Sequence, residues 1–263
     1  MNETFFATWW HLPFLMALFV GALCPATGAV LITHRRLLQA NLISHAVVPG
    51  IVLAFAIGID PAIGGVLSGL VGAAVAEKFT SNRNGENEAV INTVLAGTLG
   101  LGVLLIPLLE IRIDLESILF GDLLAVESGD LIRSLIAGIG FLLLLLTSYQ
   151  KLVYIGLDAE GASASGLRVS SLRLALGFVT SLVVVSSMAA VGVVLVIGLL
   201  SAPALFGLNE AHSLKSAMII SARYGIIFCF IGFSLAILFN LSPGPLIGVL
   251  CLVSLAFPRE KLS

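Results

Sequence analysis

Residues 41–59, NLISHAVVPGIVLAFAIGI, form an apolar run that is long enough to cross a lipid bilayer. His45 is the only ionisable side chain between Arg36 and Asp60. An ionisable group inside a membrane is energetically expensive and usually lines a polar path or pocket. His45 is therefore the first candidate functional residue of the chain.

The composition of the whole chain is that of a membrane protein. Of its 263 residues, 59% are hydrophobic and 11% are charged, whereas soluble domains carry about 25% charged residues. We predict an all-α integral membrane bundle that forms one domain over residues 1–263, because in lipid each backbone polar group needs a partner within its own segment. The predicted helices cover about 12–33, 41–59, 61–79, 89–109, 131–150, 171–188, 190–207, 216–239 and 244–257. The division near Ser186 and Ser187 leaves either eight or nine transmembrane helices.

The basic residues predict how the helices are oriented. If the first helix runs from outside to inside, eleven of the thirteen lysines and arginines fall on one side, and only Arg112 and Arg133 fall on the other. The positive-inside rule then places the N-terminus outside the cell membrane and the C-terminus in the cytoplasm. The sequence has no basic patch suited to nucleic acid.

Polar residues around His45 suggest a site for a cation. Asn41 and His45 share one helical face, and Ser44 lies on an adjacent face. Pro49 frees the carbonyl of His45 from its helical hydrogen bond, and with Gly50 it is expected to kink the helix. Imidazole and oxygen ligands suit a divalent transition metal. A histidine that is hydrogen-bonded to a neighbouring helix would explain the same pattern, so both interpretations stay open.

Residues 157–167 form a second unusual segment, rich in alanine, serine and glycine. Asp158 is a favourable helix N-cap and Gly166 a natural helix stop. A short helix with a small-residue surface suits docking into a groove on another protein. The alternative is a simple connecting turn.

The apolar stretch 191–204 is interrupted at Pro203, which implies a local break. Core packing is the leading interpretation of this stretch, and lining a gate is the second.

Several catalytic and transport motifs are missing from the sequence. It has no P-loop motif, so we predict a transport subunit without an ATPase site of its own. It also lacks HExxH, GxSxG and paired intramembrane carboxylates, which counts against a membrane enzyme. An ion-coupled secondary transporter is disfavoured too, because no intramembrane acidic residue is suited to coupling.

Four regions in this order resemble the membrane permease subunits of ATP-binding-cassette importers for manganese, zinc and chelated iron. A fifth, shorter run before the final helix fits the same family. These regions are His34-Arg35-Arg36 with Ser44 to Gly50, Leu119 to Leu124, Asp158 to Leu167, Val191 to Ala204, and Ser242-Pro243-Gly244-Pro245.

The resemblance implies a type II importer-like bundle and a homodimer in the lipid bilayer. It also implies a cytoplasmic ATP-binding subunit and an extracytoplasmic metal-binding protein. No cofactor is bound permanently, and the metal is the transported substrate. A cytoplasmic coupling segment at about 152–170 would dock into the ATPase. The residues to which roles carry over are His45, Asn41 and Ser44 for the metal pathway, Pro49, Gly50 and Pro203 for the kink or gate, and Asp158, Glu160, Ala162 and Gly166 for ATPase coupling.

One position departs from the family pattern. Many family members carry an aspartate four residues before the motif histidine, where this chain has Asn41. An amide has no formal charge, so attraction to a dication should be weaker and escape easier. The run Ser44 to Gly50 resembles manganese and iron members. It favours manganese, with iron and zinc as alternatives, because imidazole and oxygen ligands accept all three metals.

Overall fold

The computed structural model describes residues 10–80, 87–111 and 121–256, and these residues form helices and no strands. The all-α prediction is confirmed. The helices, in chain order, are α1 His11–Thr33, α2 Leu37–Ile57, α3 Pro61–Thr80, α4 Asn87–Leu108, α5 Ser128–Leu157, α6 Ala159–Ala164, α7 Val169–Glu210, α8 Leu214–Phe239 and α9 Pro243–Leu255, with a short 3-10 helix at Leu123–Ala125.

Among the described residues, eight helical segments are long and apolar enough to cross a membrane. The predicted spans 171–188 and 190–207 both occur, as the two parts Val169–Met188 and Ala190–Glu210 of α7. The remaining apolar helix, α9, has 13 residues. At 1.5 Å per residue it is about 20 Å long, short of the roughly 30 Å hydrocarbon core.

The predicted division near Ser186 and Ser187 falls a few residues before the kink at Gly192, where the two helical parts of α7 meet. Gly192 has φ 76° and ψ 161°, a combination that essentially only glycine adopts. The helix therefore bends at the one residue in this stretch whose backbone tolerates the conformation, rather than at the polar serines.

The chain divides into two compact units. The first contains Met1–Ile32, Leu115–Ile139 and Ser186–Ser263, and the second contains Thr33–Asp114 and Gly140–Val185. Each unit combines segments that are distant in sequence, so each depends on contacts between helices.

In the second unit, α2 packs against α3 and α4. A Cβ atom added to Gly50 would overlap the carbonyl oxygen of Gly64, and the converse also holds. Ser68 Oγ donates a hydrogen bond to the carbonyl of Ala46 at the same contact. On α4, a Cβ atom added to Gly102 would lie 3.0 Å from the backbone nitrogen of Pro49. Small residues thus let three helix backbones approach closely, which is how helices associate in lipid.

In the first unit, α8 packs against α9. The segment that precedes α5 contacts the kink of α7. Gly121, with φ 70°, lies so close that an added Cβ atom would overlap the backbone nitrogen of Gly192. Asp122 caps the 3-10 helix by accepting a hydrogen bond from Leu124 N at 3.1 Å. The described part of the Leu119–Leu124 region therefore meets the Val191–Ala204 region, while Leu119 and Phe120 lie outside the described residues.

We expect Gly50→Ala to destabilise the protein, because the methyl group would have to displace the backbone at Gly64. Overpacking of this kind costs about 1–3 kcal/mol, and thermal unfolding in detergent would measure it. Gly97→Ala in α4 is the matched control, since nothing lies within 4 Å of the added methyl group. Equal unfolding midpoints for the two variants would contradict the backbone contact.

Candidate functional site

Asn41 and His45 lie on the one partly open face in the N-terminal half of α2. Both side chains are half-buried, whereas the residues between them, Leu42, Ile43 and Ser44, are fully buried. The two residues are one turn apart, a rise of about 6 Å. Leu38 continues the same face and is exposed. We call Leu38, Asn41 and His45 the open face of α2.

The polar atoms near His45 differ in how they are satisfied. Ser44 Oγ donates to the carbonyl of Ala40 at 3.0 Å, so its hydroxyl is used within its own helix. His45 Nδ1 is buried and, within the described residues, has no hydrogen-bond partner. A buried polar atom without a partner is rare and requires an explanation. The alternative interpretation of His45 was a histidine that is hydrogen-bonded to a neighbouring helix. Within the described residues, Nδ1 makes no such hydrogen bond.

Pro49 and Gly50 are buried one turn beyond His45. The helix continues through them from Leu37 to Ile57, and Pro49 leaves the carbonyl of His45 without its helical amide donor. These two residues contact α3 and α4, as described above. Pro203 is buried within α7, where the Ser201 hydroxyl donates to the carbonyl of Ile197 at 2.8 Å.

The described part of one chain does not supply a chelating metal site on its own. Among the described residues, no group of three or more His, Cys, Asp or Glu side chains is placed to hold a metal ion. The open face offers one imidazole and one amide. Such a sparse ligand set permits brief contact with a cation rather than tight retention.

The segment Asp158–Gly166 forms the predicted short helix instead of a simple turn. Asp158 Oδ1 accepts a hydrogen bond from Gly161 N at 2.8 Å and caps α6. The chain leaves the helix through Gly166, whose φ is 84°. Ala162 is fully buried and anchors the helix, whereas Glu160 and Gly166 are exposed. Asp158–Gly166 is the central part of the segment for which the resemblance implies ATPase coupling, and for brevity we call it the coupling segment.

A cavity of about 580 Å³ adjoins the coupling segment, and six charged side chains lie in its wall. Arg36 forms two parallel hydrogen bonds to Glu77, at 3.0 Å and 3.1 Å. Arg173 Nη1 lies 3.8 Å from the same carboxylate. Sequence reasoning missed Glu77, because its partner Arg36 is 41 residues away and no local pattern connects the two. We call this space the charged cavity.

His34 lies at the wall of the charged cavity, between α1 and α2. Burial, together with the positive charges of Arg36 and Arg173, lowers its pKa from 6.5 to about 4. A hydrogen bond to the backbone of Leu152 opposes this shift. The imidazole is therefore neutral at physiological pH and connects the α1–α2 corner to α5.

The sequence pattern of the ABC 3 transport family matches residues 10–259. The chain belongs to this family. It is 33% identical to the manganese import system permease protein ScaB of Streptococcus parasanguinis, over 85% of this chain and 81% of that protein. It is 29% identical to the chelated iron transport system membrane protein YfeD of Yersinia pestis, over 95% and 84%.

A solved structure shares the same fold. PsaBC from Streptococcus pneumoniae, determined in complex with Fab, matches this chain with a TM-score of 0.86 and 30% sequence identity. The match covers 97% of this chain and 93% of that chain. The resemblance read from the five sequence regions is thereby confirmed, and the ABC 3 fold extends over nearly all of the chain.

The neutral state of His34 predicts a pH-dependent stability. An unfolded chain takes up a proton on His34 near pH 6.5, whereas the folded protein resists protonation until about pH 4. Stability that is present above pH 6.5 should therefore decline as the pH falls from 6.5 to 4. Unfolding temperatures in detergent across this range would measure the decline.

His34→Gln serves as the reference variant, because its side-chain amide supplies a donor in place of the imidazole N–H and does not titrate. Its unfolding temperature should fall less steeply between pH 6.5 and pH 4. Parallel curves for the two proteins would show that His34 protonates freely in the folded state.

Proposed function

We propose that this chain is the permease subunit of an ATP-binding-cassette importer that conducts a divalent transition-metal ion, most readily manganese, into the cytoplasm. The observation that carries the proposal is the open face of α2. There, His45 and Asn41 are half-buried among buried neighbours, and a buried imidazole nitrogen has no partner in the described chain. Membership of the ABC 3 family supports the same function.

The proposed pathway forms between two copies of the chain. A two-fold axis brings the same surface of each subunit together, so paired open faces would contribute two imidazoles and two amides. The carbonyl of His45 that Pro49 frees adds an oxygen ligand. Ser44 would lie beside the pathway, and Pro49, Gly50 and Pro203 would lie at kinks or gates. Alternating access would then expose this sparse site to each side of the membrane in turn.

The choice of metal rests on ligand chemistry and on relatives. ScaB is named for manganese import and YfeD for chelated iron transport, which supports manganese as the first candidate and iron as an alternative. Zinc is a further alternative because imidazole and amide ligands also accept it. Asn41 lacks the charge of a carboxylate, so the site should hold its ion weakly.

Energy for transport would come from partner proteins. The chain has no P-loop motif, so ATP would be hydrolysed on a separate cytoplasmic ATP-binding subunit. The exposed Glu160 and Gly166 of the coupling segment would meet that subunit, with Asp158 and Ala162 fixing the helix. An extracytoplasmic metal-binding protein would deliver the ion on the opposite side.

The proposed topology follows the distribution of basic residues. The chain would form a single permease domain over residues 1–263 in the cell membrane, with its N-terminus outside and its C-terminus in the cytoplasm. This orientation places Arg35, Arg36 and the end of α5 that carries Lys151 on the cytoplasmic side.

We expect His45→Ala to abolish manganese accumulation, because the variant loses the only imidazole of the open face. Uptake of radioactive manganese by a transport-deficient strain that also carries the two partners would test this. His11→Ala, at the exposed start of α1, should retain uptake. Normal uptake by His45→Ala, with both variants present in the membrane, would refute the pathway.

Asn41→Asp should make the open face of α2 bind the metal ion more tightly. A carboxylate binds a dication more tightly than an amide does, so we expect a lower half-saturating manganese concentration. Because the ion is also released more slowly, we expect a slower maximal rate of uptake. Asn41→Ala, which removes the oxygen ligand, should raise the half-saturating concentration. The same kinetic parameters in all three proteins would exclude contact between residue 41 and the metal.

Glu160→Arg should weaken binding of the ATPase, since it reverses the charge of an exposed side chain on the coupling segment. Co-purification of the ATP-binding subunit would measure the effect. Glu127→Arg is the matched control, because Glu127 is also exposed. It lies just before the first residue of α5, whereas the coupling segment follows the last residue of that helix. If both variants retain the ATPase equally, the coupling segment has been assigned wrongly.

A further inference from the structure

Glu77 joins two arginines that come from different helices. It accepts two hydrogen bonds from Arg36, which is the N-cap residue of α2. The same carboxylate lies 3.8 Å from Arg173, in the first turns of α7. Paired hydrogen bonds between a guanidinium and a carboxylate fix the relative orientation of the two groups. One side chain of α3 therefore connects the beginnings of α2 and α7.

Both ends of the coupling segment reach this cluster. On its N-terminal side, α5 packs against the α1–α2 corner: a Cβ atom added to Gly156 would lie 2.9 Å from Thr33 Cγ2. His34 adds a hydrogen bond to the backbone of Leu152. On its C-terminal side, the chain enters α7 and arrives at Arg173. A displacement of the coupling segment thus acts on the residues that precede α2 from two directions.

The start of α2 leads directly to the open face. Arg36 stands nine residues before His45, a distance of about 14 Å along a rigid helix. No loop or glycine intervenes between them, and α2 is continuous from Leu37 onward. A shift of Arg36 therefore moves the open face with it.

We propose that Glu77 is a positioning residue for transport, which transmits movement of the coupling segment to α2. This inference rests on the proposed function, in which Asp158–Gly166 contacts the ATPase and His45 meets the metal. The carboxylate holds Arg36 and Arg173 together, so that α7 and α2 shift as a pair when the coupling segment moves.

The burial of Arg36 distinguishes its pair with Glu77 from an ordinary surface ion pair. The Arg36 side chain is only 14% exposed, while those of Glu77 and Arg173 are 41% and 36% exposed. Exposed pairs contribute little, but loss of the partner of a mostly buried guanidinium is costly. The adjoining charged cavity leaves space for these segments to move. A connection that has one buried member and room beside it suits transmission of a displacement.

The test uses the complete transporter, with its ATP-binding subunit and metal-binding protein, reconstituted in lipid vesicles. Manganese uptake and ATP hydrolysis are measured together, and their ratio gives the metal transported per ATP. Glu77→Gln keeps the shape of the side chain and removes its charge. We expect this ratio to fall about fivefold or more, with assembly retained. Glu77→Asp, which keeps the charge, should restore part of the ratio.

Arg173→Gln provides a second route to the same measurement. If Glu77 acts by joining the two arginines, the Arg173 variant should also lower the ratio, and the double variant should be no worse than Glu77→Gln. Arg133→Gln is the control, because it breaks a comparable pair, at 3.0 Å to Asp130, outside the cluster. Its ratio should stay unchanged.

Two results would overturn the proposal. One is an unchanged ratio in Glu77→Gln, or in Arg173→Gln if Glu77→Gln fails to assemble. The other is a fall in the ratio that follows the fall in unfolding temperature equally in Arg133→Gln and in the cluster variants. That result would show that Glu77 has a merely structural role. Failure of the proposed function is separate: Glu160→Arg would then retain the ATPase, or His45→Ala would transport normally.

Discussion

A lipid bilayer offers no hydrogen-bonding partner to the peptide backbone, and this constraint explains why the described spans are all helices. Within the spans, many hydroxyl groups bond back to carbonyls of their own helix, as Thr27 does to Leu23 at 2.9 Å and Thr180 to Leu176 at 2.7 Å. Others, such as that of Ser68, bond to a carbonyl of a neighbouring helix. A buried polar atom with no partner of either kind is therefore conspicuous. His45 Nδ1 is such an atom within the described residues.

Because lipid is as apolar as leucine, helices associate here by close backbone contact rather than by hydrophobic burial. The contact between Gly50 and Gly64 fixes α2 against α3, and thereby fixes which face of α2 stays open. In the other unit, Gly121 fills the space beside the kink at Gly192. The small residues thus determine where the polar groups are presented, although they carry no chemistry themselves.

Most of the helices were predictable because hydropathy and caps are local properties. The predicted spans overlap the observed helices, and Asp158 and Gly166 bound α6 as expected from their backbone preferences. The predicted division in α7 fell a few residues before the kink at Gly192. Gly192 has φ and ψ angles that the surrounding contacts impose, whereas the sequence signal at Ser186 and Ser187 was only polarity.

The sequence by itself determined the membrane class, the family and the identity of the motif residues, including Asn41 in place of a carboxylate. Only the tertiary structure decided which of them are accessible, and it revealed the cluster of Arg36, Glu77 and Arg173. Those three residues lie on separate helices, far apart in the chain. Their meeting depends on the rotation and axial position of each helix, and these are set by packing between helices rather than by any local pattern.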